Sequence, residues 1–460
     1  MTQTSVSSGH RSAAEIGRTD FGPRALPAIG ELSTAPDLEH VDTVLANGLR
    51  VLAVRKANVP MVETRLSIPF GGDSPEHTAT AEVLAETILT GTGRRDRVGI
   101  DTELSLIGGE LNTVVDPERL AIAGGCLTTG LSTLLDVLAD ALGNASHPDD
   151  EVQRESARLM ERLAVARTQP RVLAREALQH RRYGNHPAAR EVPKGEYVAE
   201  VSAADVRALH ARSVLPSGST LVVVGDVDPQ TAVSQVETTL GGWSGTGAAA
   251  ELASLPEVHG NDILLVERPG AVQSQIRLSA QALPRTDTRY PALQMANLAF
   301  GGFFSSRLVE NIREDKGYTY GARSGFEFTP NGATVQVDAD TANEVTAAAL
   351  LETRYELGKL AVVPPSEAEV EAARQYAIGS LLITTSSQAG LAGQLSALAQ
   401  VGLGVDWLTG HPERLAAVTR EDVARVALDF FAPARFTGVV VGDADSLAPQ
   451  LNALGGVARE

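Results

Sequence analysis

The strongest constraint on how this chain can fold is a long internal repeat. Residues 205–226, DVRALHARSVLPSGSTLVVVGD, can be laid without gaps on residues 422–443, DVARVALDFFAPARFTGVVVGD, at an offset of 217, and both end in VVVGD. Upstream, Leu52, Val54, Arg65 and Ser67 match Leu264, Val266, Arg277 and Ser279 at an offset of 212, and the apolar stretch at Ala81 falls on Leu293–Phe300. The chain is a tandem duplication, and 460 residues are enough for each copy to bury its own core. The copies are expected over 42–240 and 257–460. Between them, 241–256 (GGWSGTGAAAELASLP) has the glycine and alanine content of an exposed linker. Residues 1–41 carry no sustained period and are expected to form an extension.

Within a copy, hydrophobic periodicity changes in blocks. The run NGLRVLAVRKANVPMVETRLSIPFGG predicts two strands joined by a turn at Asn58–Pro60. Helices are predicted over 80–89 and 99–107, paired strands over 111–115 and 120–126, and further helices over 130–142, 149–168 and 171–183. Blocks of strands and helices, without strict alternation, argue for an α+β layer sandwich over a doubly wound sheet.

Composition excludes several function classes. With 39 basic and 57 acidic residues the net charge is −18, which opposes binding to nucleic acid or an anionic membrane and is compatible with basic peptide ligands. No apolar run approaches the ~20 residues of a membrane span, and the first residues lack the apolar core of a signal peptide, so a cytoplasmic location is expected. The single cysteine, Cys126, lies amid small apolar residues and reads as a buried hydrophobe. No GxxxxGK[ST] phosphate loop is present.

The segment most suggestive of a site is FGGFFSSRLVENIREDKGYTYG, residues 300–321. Ser305 or Ser306 is placed to cap a helix striped by Leu308, Val309 and Ile312, and Gly317 to end it. Arg313 in the last turn and Tyr320 beyond it then flank one tight turn, where together they could grip a peptide carbonyl. A helix-end cation and a half-buried strand tyrosine are the plainer alternative. The longer run GGFFSSRLVENIREDKGYTYGARSGFE resembles the C-terminal domain of the insulinase-like (M16) metallopeptidases, in which an Arg and a Tyr about this turn orient bound peptide. YGNHPAAREVPKG, GGELNT and the two VVVGD strands are similar to further family segments, so the resemblance covers the chain from residue 42 onward. It implies the LuxS/MPP-like metallohydrolase fold in two tandem copies.

Active members carry H-x-x-E-H on the first long helix, two zinc-ligating histidines and a general base. The corresponding stretch here is AEVLAETILTGT, which puts Glu82 and Glu86 at the ligand positions and Ala85 at the base. Glu155 in EVQRESARLMERL is the counterpart of the family's third ligand. None of the nine histidines lies three or four residues from another. Three carboxylates, Glu82, Glu86 and Glu155, would suit magnesium, calcium or manganese better than zinc, and two glutamates on a solvated helix face are the plainer reading.

Retention of the orienting pair with loss of the zinc residues resembles the non-catalytic subunit of a two-chain M16 peptidase. The resemblance implies a heterodimer with an H-x-x-E-H subunit that brings the zinc, a peptide substrate, and no cofactor in this chain. The alternatives are a non-enzymatic scaffold subunit and a peptidase with an atypical Glu-rich metal site.

Overall fold

The computed structural model describes residues 37–245, 247–248 and 252–459. Two six-stranded mixed sheets carry the architecture. The first contains β1 (His40–Val44), β2 (Arg50–Arg55), β3 (Met61–Pro69), β4 (Glu110–Val115), β5 (Arg119–Leu127) and β6 (Thr220–Gly225), in the order β1-β2-β6-β3-β5-β4. The second contains β7 (Ile263–Glu267), β8 (Gln273–Gln281), β9 (Thr319–Thr329), β10 (Gly332–Ala342), β11 (Thr437–Gly442) and β12 (Val457–Arg459), in the order β12-β7-β11-β8-β10-β9.

The two repeat offsets map strand onto strand. At 212, β3 falls end to end on β8; at 217, β6 falls on β11, so that Gly225 and Gly442 close equivalent strands. A Cβ at Gly225 would stand 2.5 Å from the Met61 carbonyl oxygen, a contact only glycine avoids. The helices ahead of these strands, Ala203–Ser213 and Arg420–Phe430, begin with capping boxes at matching positions, Ser202 with Asp205 and Thr419 with Asp422. Replacing either cap, Ser202→Ala or Thr419→Ala, is expected to cost about 1 kcal/mol, read as a shift in the denaturation midpoint.

At three places the fold adds detail to the sequence reading. β2 and β3 are joined by the predicted turn but are not neighbours in the sheet. β6, about 150 residues later in the sequence, lies between them, parallel to β2 and antiparallel to β3. The extension expected over 1–41 lies outside the described residues up to 36, and its last two residues, His40 and Val41, already belong to β1. In the expected linker, residues 246 and 249–251 lie outside the described set; Gly241, Gly242, Ser244, Gly245, Ala253 and Ser254 are exposed, while Trp243 and Leu252 are buried. The Trp243 indole packs into the first core and donates to the Val214 carbonyl, because an aromatic of that size is held by burial whatever glycines surround it.

Each sheet packs one face on its own helices. The opposite face is partly covered by a helix from the other copy. Gln388–Ala399 lays Leu391, Leu395 and Leu398 over Leu52, Val54, Val222 and Val224 of the first sheet. Reciprocally, Pro170–Tyr183 lays Ala174 and Leu178 over Val439 and Val441 of the second. This second helix packs on β11 and β8, leaving the β10–β9 side of that face open.

Candidate functional site

The segment 300–321 folds as helix, turn and strand. Ser306 has the extended backbone of an N-cap, although its hydroxyl makes no capping bond. The helical run Arg307–Val309 continues as a π-turn through Glu310–Asp315, and Gly317 ends it at φ +62°. Beyond it, the register between β9 and β10 slips. Tyr320 and Gly321 together face the single residue Asp340, a β-bulge stitched by the Thr319 hydroxyl, which donates to the Gly321 and Asp340 carbonyls and accepts from Gly321 N–H.

The bulge turns Tyr320 out of the sheet, so that it is 93% exposed. The Arg313 guanidinium lies 5.4 Å from the centre of the Tyr320 ring and 4.8 Å from that of Phe304. Arg313 and Tyr320 are thus brought together, and the half-buried strand tyrosine of the plainer reading is not what the chain builds. Phe304, itself 57% exposed, was missed in the sequence. Its signal was a phenylalanine set among glycines and serines, where no core would claim it.

The remnant of the metal motif lies on the helix Pro75–Thr87. Ala85 faces the core, and its carbonyl accepts from the Thr113 hydroxyl of β4. Glu86 is paired with Arg162. Glu155, on Asp149–Ala166, is buried against Arg97 at 2.6 Å and Arg158 at 3.0 Å. Glu82 lines a small cavity with Gly72, His77, Asp116, Arg190 and Glu191. Burial, with a contribution from Glu86, pushes its carboxyl up to about 7 against the opposing pull of Arg162. Among the described residues no group of three or more His, Cys, Asp or Glu side chains is placed to hold a metal ion.

These residues do not fit a zinc centre. Two of the three carboxylates already neutralise guanidinium groups, and the base position holds a buried methyl group. The isolated chain is accordingly expected to bind no stoichiometric zinc and to cleave no peptide. One tightly held zinc per chain by elemental analysis, with chelator-sensitive proteolysis, would refute this.

Beside the bulge, between Pro170–Tyr183 with its following loop and the exposed side of β9, lies a cleft of about 1360 Å³. Gly321 to Glu327 form one wall. The other is rich in cations from the segment 167–194, which sequence inspection passed over because arginines on a helix ordinarily mark a solvated face.

Comparison with known proteins identifies the family. Residues 50–195 match the model of the insulinase family, peptidase family M16, and residues 200–376 match that of the peptidase M16 inactive domain. The chain belongs to peptidase family M16. It is 26% identical over 450 residues to an uncharacterized zinc protease of Mycobacterium tuberculosis, covering 94% of this chain and 100% of that one. An uncharacterized zinc protease of Mycobacterium leprae is 27% identical over 304 residues, 63% of this chain and 67% of the relative. In fold, the chain resembles the crystal structure of a peptidase M16 inactive domain from Pseudomonas fluorescens, with a TM-score of 0.79, 22% identity and coverage of 88% and 98% of the two chains. Two tandem M16 domains account for both sheets. No helix among the described residues is long and apolar enough to cross a membrane.

Proposed function

We propose that this M16 chain is the non-catalytic, substrate-orienting subunit of a cytoplasmic heterodimeric zinc peptidase acting on peptides or unfolded polypeptides. The observation that carries the reading is Tyr320, held out on a bulge beside a peptide-sized cleft with the half-buried Arg313 guanidinium, itself paired with Glu314 at 3.3 Å, against its ring, in a chain where two of the three metal-site glutamates are committed to arginines. Arg313 would donate to a substrate carbonyl. Tyr320 would add a second hydrogen bond near the scissile bond, and extended substrate would gain sequence-tolerant backbone bonds from a sheet edge. The partner would bring H-x-x-E-H, and with it the zinc and the base. Two exposed aromatic rings gathered about one guanidinium, Tyr320 at 93% and Phe304 at 57%, favour a contact site over a purely structural subunit.

The test is isolation of an H-x-x-E-H chain of similar length with this one, followed by peptide hydrolysis by each chain and by the mixture. Hydrolysis that requires both chains is expected. Full activity of the partner alone would overturn the proposal.

A further inference from the structure

The cleft between the two copies carries a charge opposite to that of the protein. Eight Arg and Lys side chains line it against five Asp and Glu, within a chain of net charge −18. Most of these cations are paired inside the wall, as Arg182 is with Glu327 at 2.6 Å and Arg277 with Asp340 at 2.8 Å. Arg171, Arg190 and Lys194 have no carboxylate within 4.0 Å among the described residues. Arg171 donates only to Gln169, and Arg190 donates to backbone carbonyls of Asp73 and Asn185 while its Nε stays buried without a partner. Low-dielectric walls concentrate the field of such groups into the cleft.

The opposite wall is shaped for a chain to approach. β9 ends its sheet, so its outer edge is unpaired by any described strand. Gly321 and Gly325 line the cleft, neither has a positive φ, and a Cβ added at either would meet nothing within 4 Å. Turn geometry and packing therefore do not call for glycine at these positions. The two glycines leave room beside the strand for a second backbone. The stretch Gly321–Glu327 matches about seven residues of extended peptide, roughly 24 Å.

We propose that this cleft binds an extended peptide segment bearing acidic side chains, laid along β9 with its carboxylates toward Arg171, Arg190 and Lys194. The inference rests on the chain being a peptide-binding subunit and assigns the class of peptide, opposite to the basic ligands that net charge alone would favour.

The experiment measures fluorescence anisotropy of three labelled ten-residue peptides on the full chain. They are matched except for alternate positions, which hold Asp/Glu, Asn/Gln or Lys/Arg. The acidic peptide is expected to bind about tenfold more tightly than the basic one, with the preference shrinking as salt is added. Arg171→Glu with Lys194→Glu should erase the preference while leaving the neutral peptide unchanged. Gly325→Val should weaken all three with the melting temperature unaltered; should it disturb folding, Gly321→Ala replaces it. Equal or tighter binding of the basic peptide, or a preference that survives the charge reversal, overturns the acidic assignment and leaves peptide binding standing. Binding of none of the three, together with unaltered turnover in Arg313→Ala, would remove both.

Discussion

Arg313→Ala is expected to lower kcat/KM of the reconstituted complex by about ten- to a hundredfold, equivalent to ~1.5–3 kcal/mol for a charge-assisted hydrogen bond to a substrate carbonyl. Tyr320→Phe should lose less. It removes one neutral hydrogen bond and keeps the ring against which Arg313 lies 5.4 Å from the centroid. Tyr320→Ala should fall between them or approach the arginine variant, since it also frees the guanidinium from one of its two aromatic neighbours. The three effects should not add, because the side chains touch. None should change the melting temperature by more than a few degrees, as a partly exposed cation–π contact contributes about 0.5–1 kcal/mol. Unchanged turnover in all three variants at equal complex concentration would leave Arg313 a helix-end cation and remove the substrate-orienting role.

Acid is expected to destabilise the protein through buried histidines, His147 and His411 most strongly, with Glu82 opposing them. His147 is fully buried at a left-handed backbone position, φ +42°, in a chain of bonds from the Thr87 hydroxyl through its own ring to His210 and on to the Leu142 carbonyl. Burial, then the neighbouring His210 and Arg207, drives its pKa down to about 3. Burial and the nearby Arg414 and Arg285 bring His411, stacked on Trp407, to about 4. Their folded-state values lie below the unfolded value near 6.5, so the unfolded chain takes up more protons as pH falls. Stability present above pH 6.5 is then lost toward pH 4, by about 2 kcal/mol per histidine at pH 5.

Glu82 works in the other direction. Its raised folded value means that its contribution is complete below pH 4.5 and lost as pH rises through about 7, so moving from pH 7.5 to 5 returns roughly 2 kcal/mol. Glu82→Gln should therefore lose about 2 kcal/mol more than wild type over that interval. Denaturant titrations at the two pH values measure this. His147→Asn, which tolerates the left-handed backbone, should reduce the loss. Equal acid sensitivity in wild type, Glu82→Gln and His147→Asn would show that other groups govern it.

Much of this was legible in the sequence because it is local or repeated. The helices near 149–166 and 170–183 and the paired strands β4 and β5 follow from period and punctuation alone. The duplication fixed strand equivalences that propensity could not. What escaped depends on contacts between distant residues. Nothing in the sequence places β6 between β2 and β3, or sets His147 against His210, 63 positions further on. The bulge at Tyr320 was hidden because TYG reads as a continuing strand until Thr319 spends its hydroxyl on the turn. What occupies Glu86 and Glu155 was hidden for a similar reason. Arg97 and Arg162, which take those carboxylates, come from other parts of the chain.

The exchange of helices between the copies bears on how the protein can be made. When the ribosome has released the first copy, the outer face of its sheet, with Leu52, Val54, Val222 and Val224, has no cover. The helix that shields it starts at Gln388, more than 160 residues after β6 ends at Gly225, and at about 5–20 residues per second that is roughly 8–30 s of synthesis. For that interval the nascent chain displays an aliphatic surface while it waits for its own distant segment. A first copy expressed alone should keep that surface permanently and depend on holding chaperones to stay in solution, even though its inner core is complete.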